Sequence, residues 1–392
     1  MAPIPRLRPY DGPPILSYGF RPFFLLASLY AGLAVLAWLP MFSGDLMLPT
    51  AFAARDWHVH EMLYGYVGAV VAGFLLTAVP NWTGRLPLQG LPLLVLVATW
   101  AAGRIAVGSS AGIGWLPAAL TDLSFLLLLT AAVAREIVAG RNWRNLKVLA
   151  VLGVLLCGNA LFHAEAHVRG LAEYGTRIGI AATLVLVMLI GGRIVPSFTR
   201  NWLSRENPGR LPAPVGSFDV VSMAFAIAAL AAWVAAPDRA VTGAALVASG
   251  LLQAARLARW AGDRTWRDRL VLILHVAYGF VPLGFILVGL AALGLVPPGA
   301  GIHAWSGGAI GVMTLAVMSR ASLGHTGRPL VASPAIQAVY AVVTASVLAR
   351  ICASIHPAWF GVLLPVAGAL WAAAFLGFAA AYWGVLTGPK AK

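Results

Sequence analysis

Charge and cysteine are what this sequence has least of. Of its 392 residues only 10% are charged, and 13 acids stand against 27 Lys and Arg. A soluble domain carries roughly 25% charged residues, so an ordinary soluble fold is excluded. The two cysteines, Cys157 and Cys352, form neither a Cys-x-x-Cys nor a Cys-x-x-Cys-His motif. That excludes zinc-finger sites and covalent haem attachment. Both lie in apolar runs and are expected to pack as small buried hydrophobes. There is no phosphate-binding loop, nucleophile elbow or catalytic triad. The proline-rich first twenty residues lack a short apolar core followed by small residues, so no cleavable signal peptide is expected.

What is present is apolar: 60% of the chain. Stretches of about 20 apolar residues are long enough to cross a bilayer as helices. Twelve are found, running from Phe23 to Phe42, His60 to Trp82, Leu91 to Gly108, Trp115 to Ile137, Leu146 to His163 and Ile178 to Phe198. The others run from Val220 to Ala236, Ala240 to Trp260, Leu270 to Ala292, Ile302 to Ser319, Pro334 to Ile355 and Trp359 to Leu386. The expected fold class is all-α, a polytopic membrane helix bundle forming a single integral membrane domain over residues 1–392.

A cytoplasmic N-terminus puts every basic residue on the inner side except Arg55, Arg104, Arg169, Arg177, Arg239 and Arg350. Arg6, Arg8 and Lys392 are among the inner ones, and both termini are expected to be cytoplasmic. The excess of 14 positive charges then reads as topology. Scattered over short loops, it makes no nucleic-acid surface, and no nucleic-acid partner is expected.

At an offset of 243 residues, the second apolar run matches the tenth. His60 meets His303, Gly65 meets Gly308, Gly68 meets Gly311, and Thr83-Gly84-Arg85 meets Thr326-Gly327-Arg328. The sixth run ends similarly in Thr199-Arg200. Spacing by four suggests three repeats of four helices, over residues 1–137, 138–260 and 261–392.

The histidines carry the chemistry. Ionisable groups in a membrane bundle are costly and mark functional sites, and imidazole is the commonest transition-metal ligand. His58, His60, His163 and His303 are the candidates for a metal site at the outer end. In a helix His58 and His60 point about 200° apart and do not easily share an ion, whereas an extended first turn lets both bind. His163 and His167 share a helical face if that helix continues, and His167 reads as a surface residue, as does His356. Behind His303, Gly307, Gly308 and Gly311 either clear space for a flat macrocycle or pack helices closely. His275 and His325 are candidates for a second, inner pair of haem ligands, or single satisfied histidines. Glu61 and Asp122 are candidate proton donors, with Asp122 equally placed to pair with Arg104. Arg104, Arg177 and Arg350 would suit haem propionates.

The chain resembles the NnrS family of bacterial inner-membrane proteins. The resemblance is carried by Leu16-Ser17-Tyr18-Gly19-Phe20-Arg21-Pro22-Phe23-Phe24, by the His58-to-Met62 element, and by the stretch from Gly73 to Arg85. It continues through Gly192 to Trp202, Gly308 to Met318, and Ser322-Leu323-Gly324-His325-Thr326-Gly327-Arg328. It implies a multi-pass inner-membrane protein containing haem (non-covalent, b-type) and copper, tied to the bacterial response to nitric oxide. Three functions are therefore expected to compete. One is a haem/copper protein that binds nitric oxide and reduces or removes it with electrons from a donor the sequence does not identify. The others are a non-enzymatic binder or sensor, and a transporter. Membrane lipid is the other expected partner.

Overall fold

The computed structural model describes residues 10–391, so Arg6, Arg8 and Lys392 of the expected inner-side set lie outside it. Among the described residues the chain is all-helical, without a strand. Twelve helices are long and apolar enough to cross a membrane. Spans 1 to 6 are Phe20–Ser43, Ala54–Thr83, Leu91–Gly108, Trp115–Ala139, Trp143–Arg169 and Tyr174–Glu206. Spans 7 to 12 are Ser217–Ala235, Ala240–Ala258, Arg269–Ala292, Pro298–His325, Pro334–Ile355 and Pro357–Thr387. Several run past their apolar stretches. Span 2 starts at Ala54, upstream of His60, and span 5 continues through His167. Backbone hydrogen bonding carries a helix on where side chains turn polar, and these polar turns supply most of the chemistry.

Packing groups the chain into two compact units. The first holds the chain up to Ala182, together with Ala321–Arg328 and the segment from Phe378 onward. The second holds Thr183–Arg320 and Pro329–Gly377.

Spans 2 and 10 are each interrupted in the same way. Span 2 is α-helical over Ala54–His60, π-helical over Glu61–Tyr66 and α-helical again over Val67–Thr83. Span 10 runs Pro298–His303, π-helical Ala304–Val312, then Met313–His325. A π segment admits an extra residue per turn, frees carbonyls and is frequent at functional sites. Each begins right after the matched histidine. Each span also ends at a left-handed glycine, Gly84 at φ 71° and Gly327 at φ 74°, conformations that favour glycine.

Within the second unit, spans 8 and 9 meet backbone to backbone. A Cβ on Gly243 would lie 2.8 Å from the Gly289 carbonyl oxygen, and one on Gly289 would lie 2.7 Å from that of Gly243. Small residues let helices approach closely where lipid offers no hydrophobic drive between them. A buried polar network lies in the same unit. Arg256 Nε donates to Asp219 at 3.0 Å and Nη1 to Tyr278 Oη at 3.0 Å, while Tyr278 donates to Gln253 Oε1 at 2.8 Å.

The cysteines depart from expectation. Cys157 is exposed and Cys352 half-buried, and both are free thiols. An exposed side chain on a membrane span faces lipid, which is as apolar as a core, so a small hydrophobe is equally at home there.

Gly243→Val is expected to cost about 1–3 kcal/mol, because a side chain must enter a filled backbone contact. Gly153→Ala on span 5, where a Cβ meets nothing within 4 Å, should be neutral or slightly stabilising. Thermal unfolding of the two purified variants in detergent checks this. Equal midpoints would show that the glycine contact does not hold spans 8 and 9.

Candidate metal centre

In the first unit, spans 2 and 4 start at the same end at which spans 3 and 5 finish. His60 lies six residues into span 2, Asp122 seven residues into span 4, and Arg104 four residues before the end of span 3. At 1.5 Å per residue these groups lie roughly 6–10 Å inside the helix ends, at a common depth. His163 comes in at similar depth from the last turns of span 5.

The four spans converge on one cluster. His60, Asp122 and His163 each offer one ligand atom, and these atoms all lie within 4.8 Å of one another. Nε2 of His60 is 3.2 Å from Asp122 Oδ2, and Nε2 of His163 is 3.1 Å from the same oxygen. All three residues are buried, His60 completely. The aromatic rings of Phe52 and Phe162 lie against the imidazoles, at centroid distances of 5.2–5.4 Å.

A surrounding layer of side chains fixes these atoms. His60 Nδ1 lies 2.8 Å from Glu61 Oε1. A carboxylate on one ring nitrogen sets the tautomer and leaves the other nitrogen's lone pair free to bind. Asn159 Nδ2 donates to Asp122 Oδ2 at 2.7 Å, which turns Asn159 Oδ1 towards His60 Nε2 at 3.0 Å. Arg104 bridges the two acids: Nη1 donates to both Glu61 oxygens, at 2.8 and 2.7 Å, and Nη2 to Asp122 Oδ1. Tyr30 donates to Glu61 Oε2 from span 1. The π segment makes this possible. Within it, the Gly65 carbonyl accepts from Trp100 Nε1 at 2.9 Å. Gly65 has no side chain to block Arg104, whose Nη1 would lie 2.5 Å from a Cβ there.

The loop above the cluster is tied down by acids as well. Asp56 accepts from Ala172 N at 2.8 Å, and Glu165 from Gly175 N at 2.8 Å and Tyr174 N at 3.2 Å. The last two bonds satisfy the otherwise unpaired first N–H groups of span 6.

Of the four histidines expected at one outer site, His60 and His163 come together within the first unit. His58 is stacked on Trp38 with ring centroids 4.2 Å apart, because Ala54–His60 is helical and residues two apart face away from each other. His303 belongs to the second unit, where its Nδ1 is 2.7 Å from the Gly299 carbonyl oxygen. His275 also lies there, with Nε2 2.8 Å from Thr199 Oγ1. His325 lies in the first unit against the Phe20 ring at 5.7 Å. His167 is exposed on Trp115, and His356 is exposed on Trp359.

Arg104 pairs with Asp122, one of the two readings open from the sequence, and with Glu61 as well. In these contacts both acids accept hydrogen bonds. Arg177 lies 3.8 Å from Glu173 and over the Tyr174 ring, and Arg350 donates to Ser354 Oγ at 2.8 Å. Asn159 and Tyr30 were not singled out from sequence. Asn159 left a signal, since it precedes His163 by four residues and so shares its helical face. Tyr30 left none.

A model of the family described as NnrS protein matches residues 14–390, nearly the whole chain. The chain belongs to the NnrS family. No curated protein matches it. NnrS membership, with the twelve spans, supports a multi-pass membrane protein of the nitric oxide response with a metal-related function.

Arg104→Met strips two buried carboxylates of the guanidinium that pairs with both and is expected to destabilise the protein by about 3–5 kcal/mol. Adding Glu61→Gln and Asp122→Asn should recover part of that loss. Unfolding midpoints measure both, and a single variant as stable as wild type would remove Arg104 from its central place.

Proposed function

We propose that this NnrS protein binds nitric oxide at a copper ion held by His60, Asp122 and His163, and removes it with electrons from a redox partner. The observation that carries the reading is the donor set itself. Two imidazole nitrogens, the Asp122 carboxylate oxygen and the Asn159 amide oxygen face one another in a buried cluster. With the imidazoles in the tautomer that turns their lone pairs inwards, these four atoms form a donor set for a cation. Nitrogen-rich sites with one carboxylate suit late first-row metals, and copper heads their affinity order.

Copper, when bound, supplies a redox-active position at which a diatomic can coordinate. The protein's residues do the rest. Glu61 orients His60 through Nδ1, Asn159 aligns Asp122, and Arg104 balances the charge of the two acids. Phe52 and Phe162 exclude water, which admits a small uncharged gas more readily than an ion.

Haem fits the residues expected to hold it less well. The glycine face behind His303 is filled, since a Cβ on Gly308 would lie 2.3 Å from the Phe280 ring and one on Gly311 2.5 Å from Trp371. That face packs helices, and copper is the metal the observed cluster suits. The site is read as facing outwards from the bacterial inner membrane, in keeping with the distribution of basic residues.

The test is metal content and anaerobic nitric oxide loss in purified protein supplied with an artificial electron donor. Wild type should hold about one copper per chain, and His60→Ala and His163→Ala should each lose most of it. His58→Ala and His303→Ala should keep it. A spectral shift on nitric oxide without turnover would make the protein a binder or sensor. Wild type without copper, or both cluster variants with full copper, would refute the site.

A further inference from the structure

Two of the sequence motifs play no part in the metal centre, and in the first unit they meet. Tyr18-Gly19-Phe20-Arg21 opens span 1, and His325-Thr326-Gly327-Arg328 follows span 10. The Phe20 and His325 rings are 5.7 Å apart. The end of span 12 joins them: Ala391 N donates to the Thr326 carbonyl at 3.0 Å, and Lys390 Nζ lies 5.0 Å over the Tyr18 ring. Arg21 is 1% exposed, and its Nη1 donates to the carbonyls of Leu386 at 3.1 Å and Gly388 at 2.6 Å.

This meeting point carries positive charge and no acid. Arg21, Arg328 and Lys390 bring like charge to this point. Among the described residues no carboxylate pairs with Arg21, Arg328 or Lys390. The other Thr-Gly-Arg copy is different, because Arg85 there pairs with Glu136. Three buried donors also lack an acceptor: Arg21 Nε, Arg328 Nη1 and Ser322 Oγ. Ser322 is fully buried, one turn before His325 on the same helix face. Buried polar groups are nearly always satisfied, so three unsatisfied donors among repelling cations call for an anion.

We propose that Arg21, Arg328, Lys390 and Ser322 bind a phosphate oxyanion. Guanidinium forks match tetrahedral oxyanions bidentately, and a lysine adds a mobile point charge. The site lies where the start of span 1 meets the ends of spans 10 and 12, and the ends of membrane helices are where phospholipid phosphates are met. Its ligand is therefore either the phosphate of an anionic lipid headgroup or free phosphate entering from water. It is separate from the copper reading and stands without it.

The test uses the full-length protein, delipidated in detergent or reconstituted in nanodiscs of phosphatidylcholine with or without phosphatidylglycerol. Native mass spectrometry counts retained lipid, and thermal midpoints compare inorganic phosphate with chloride at equal ionic strength. Wild type should retain phosphatidylglycerol or be stabilised by phosphate. Arg328→Gln and Lys390→Gln should each weaken that binding on the order of tenfold, with Arg328→Lys losing less. Lys390 is exposed and makes no buried bond, so its variant folds whatever the fate of Arg328→Gln. Retention of phosphatidylglycerol without a phosphate effect identifies the headgroup, and displacement of the lipid by inorganic phosphate identifies an open oxyanion site. Binding of both ligands unchanged in Arg328→Gln and Lys390→Gln, or absent from wild type, overturns the proposal.

Discussion

The arrangement of the first unit depends on one guanidinium. Arg104 faces two carboxylates in a region where water does not reach, and two unneutralised acids there would cost far more than helix packing returns. Once Arg104 spans them, Glu61 is free to hold His60, and Asp122 to hold His163 and Asn159. Each histidine then has its position set by a carboxylate, and each carboxylate by the same cation. Such a cluster is rigid because no member can move without exposing another's charge.

Helix geometry makes that interaction reachable. A regular α-helix through residues 61–66 would keep the Gly65 carbonyl within its own ladder and present a continuous wall to span 3. In the π segment Trp100 donates to the Gly65 carbonyl, and the glycine admits Arg104. The equivalent stretch of span 10 is also a π segment, but the residue after its histidine is Ala304 where span 2 has Glu61. The local shape is shared while the acid is not.

Much of this was legible from the chain. Long apolar runs specify membrane helices because only helices and closed barrels satisfy their backbone in lipid, and all twelve spans follow. The pairing of Asp122 with Arg104 was one of two readings left open by their matching depths. Helical periodicity gave reason to separate His58 from His60. Less legible was partner choice across spans. Nothing in the residues around His303 says that Phe280 and Trp371 fill the space beside its glycines, and no pattern marks Tyr30 as the neighbour of Glu61. The edges of spans were also hidden, since hydropathy falls off before the hydrogen-bonded backbone ends, as the run of span 5 to Arg169 shows.

The distribution of the charged cluster has a consequence for biogenesis. Glu61, Arg104 and Asp122 arrive on three successive helices, and a charged residue placed well inside a lone helix costs about 2.5–3.5 kcal/mol on insertion. A carboxylate entering lipid on span 2 meets its cation only when span 3 follows, and the second acid only with span 4. The favourable route is therefore release of these helices from the insertion machinery as a group, so that opposite charges neutralise one another before lipid surrounds them.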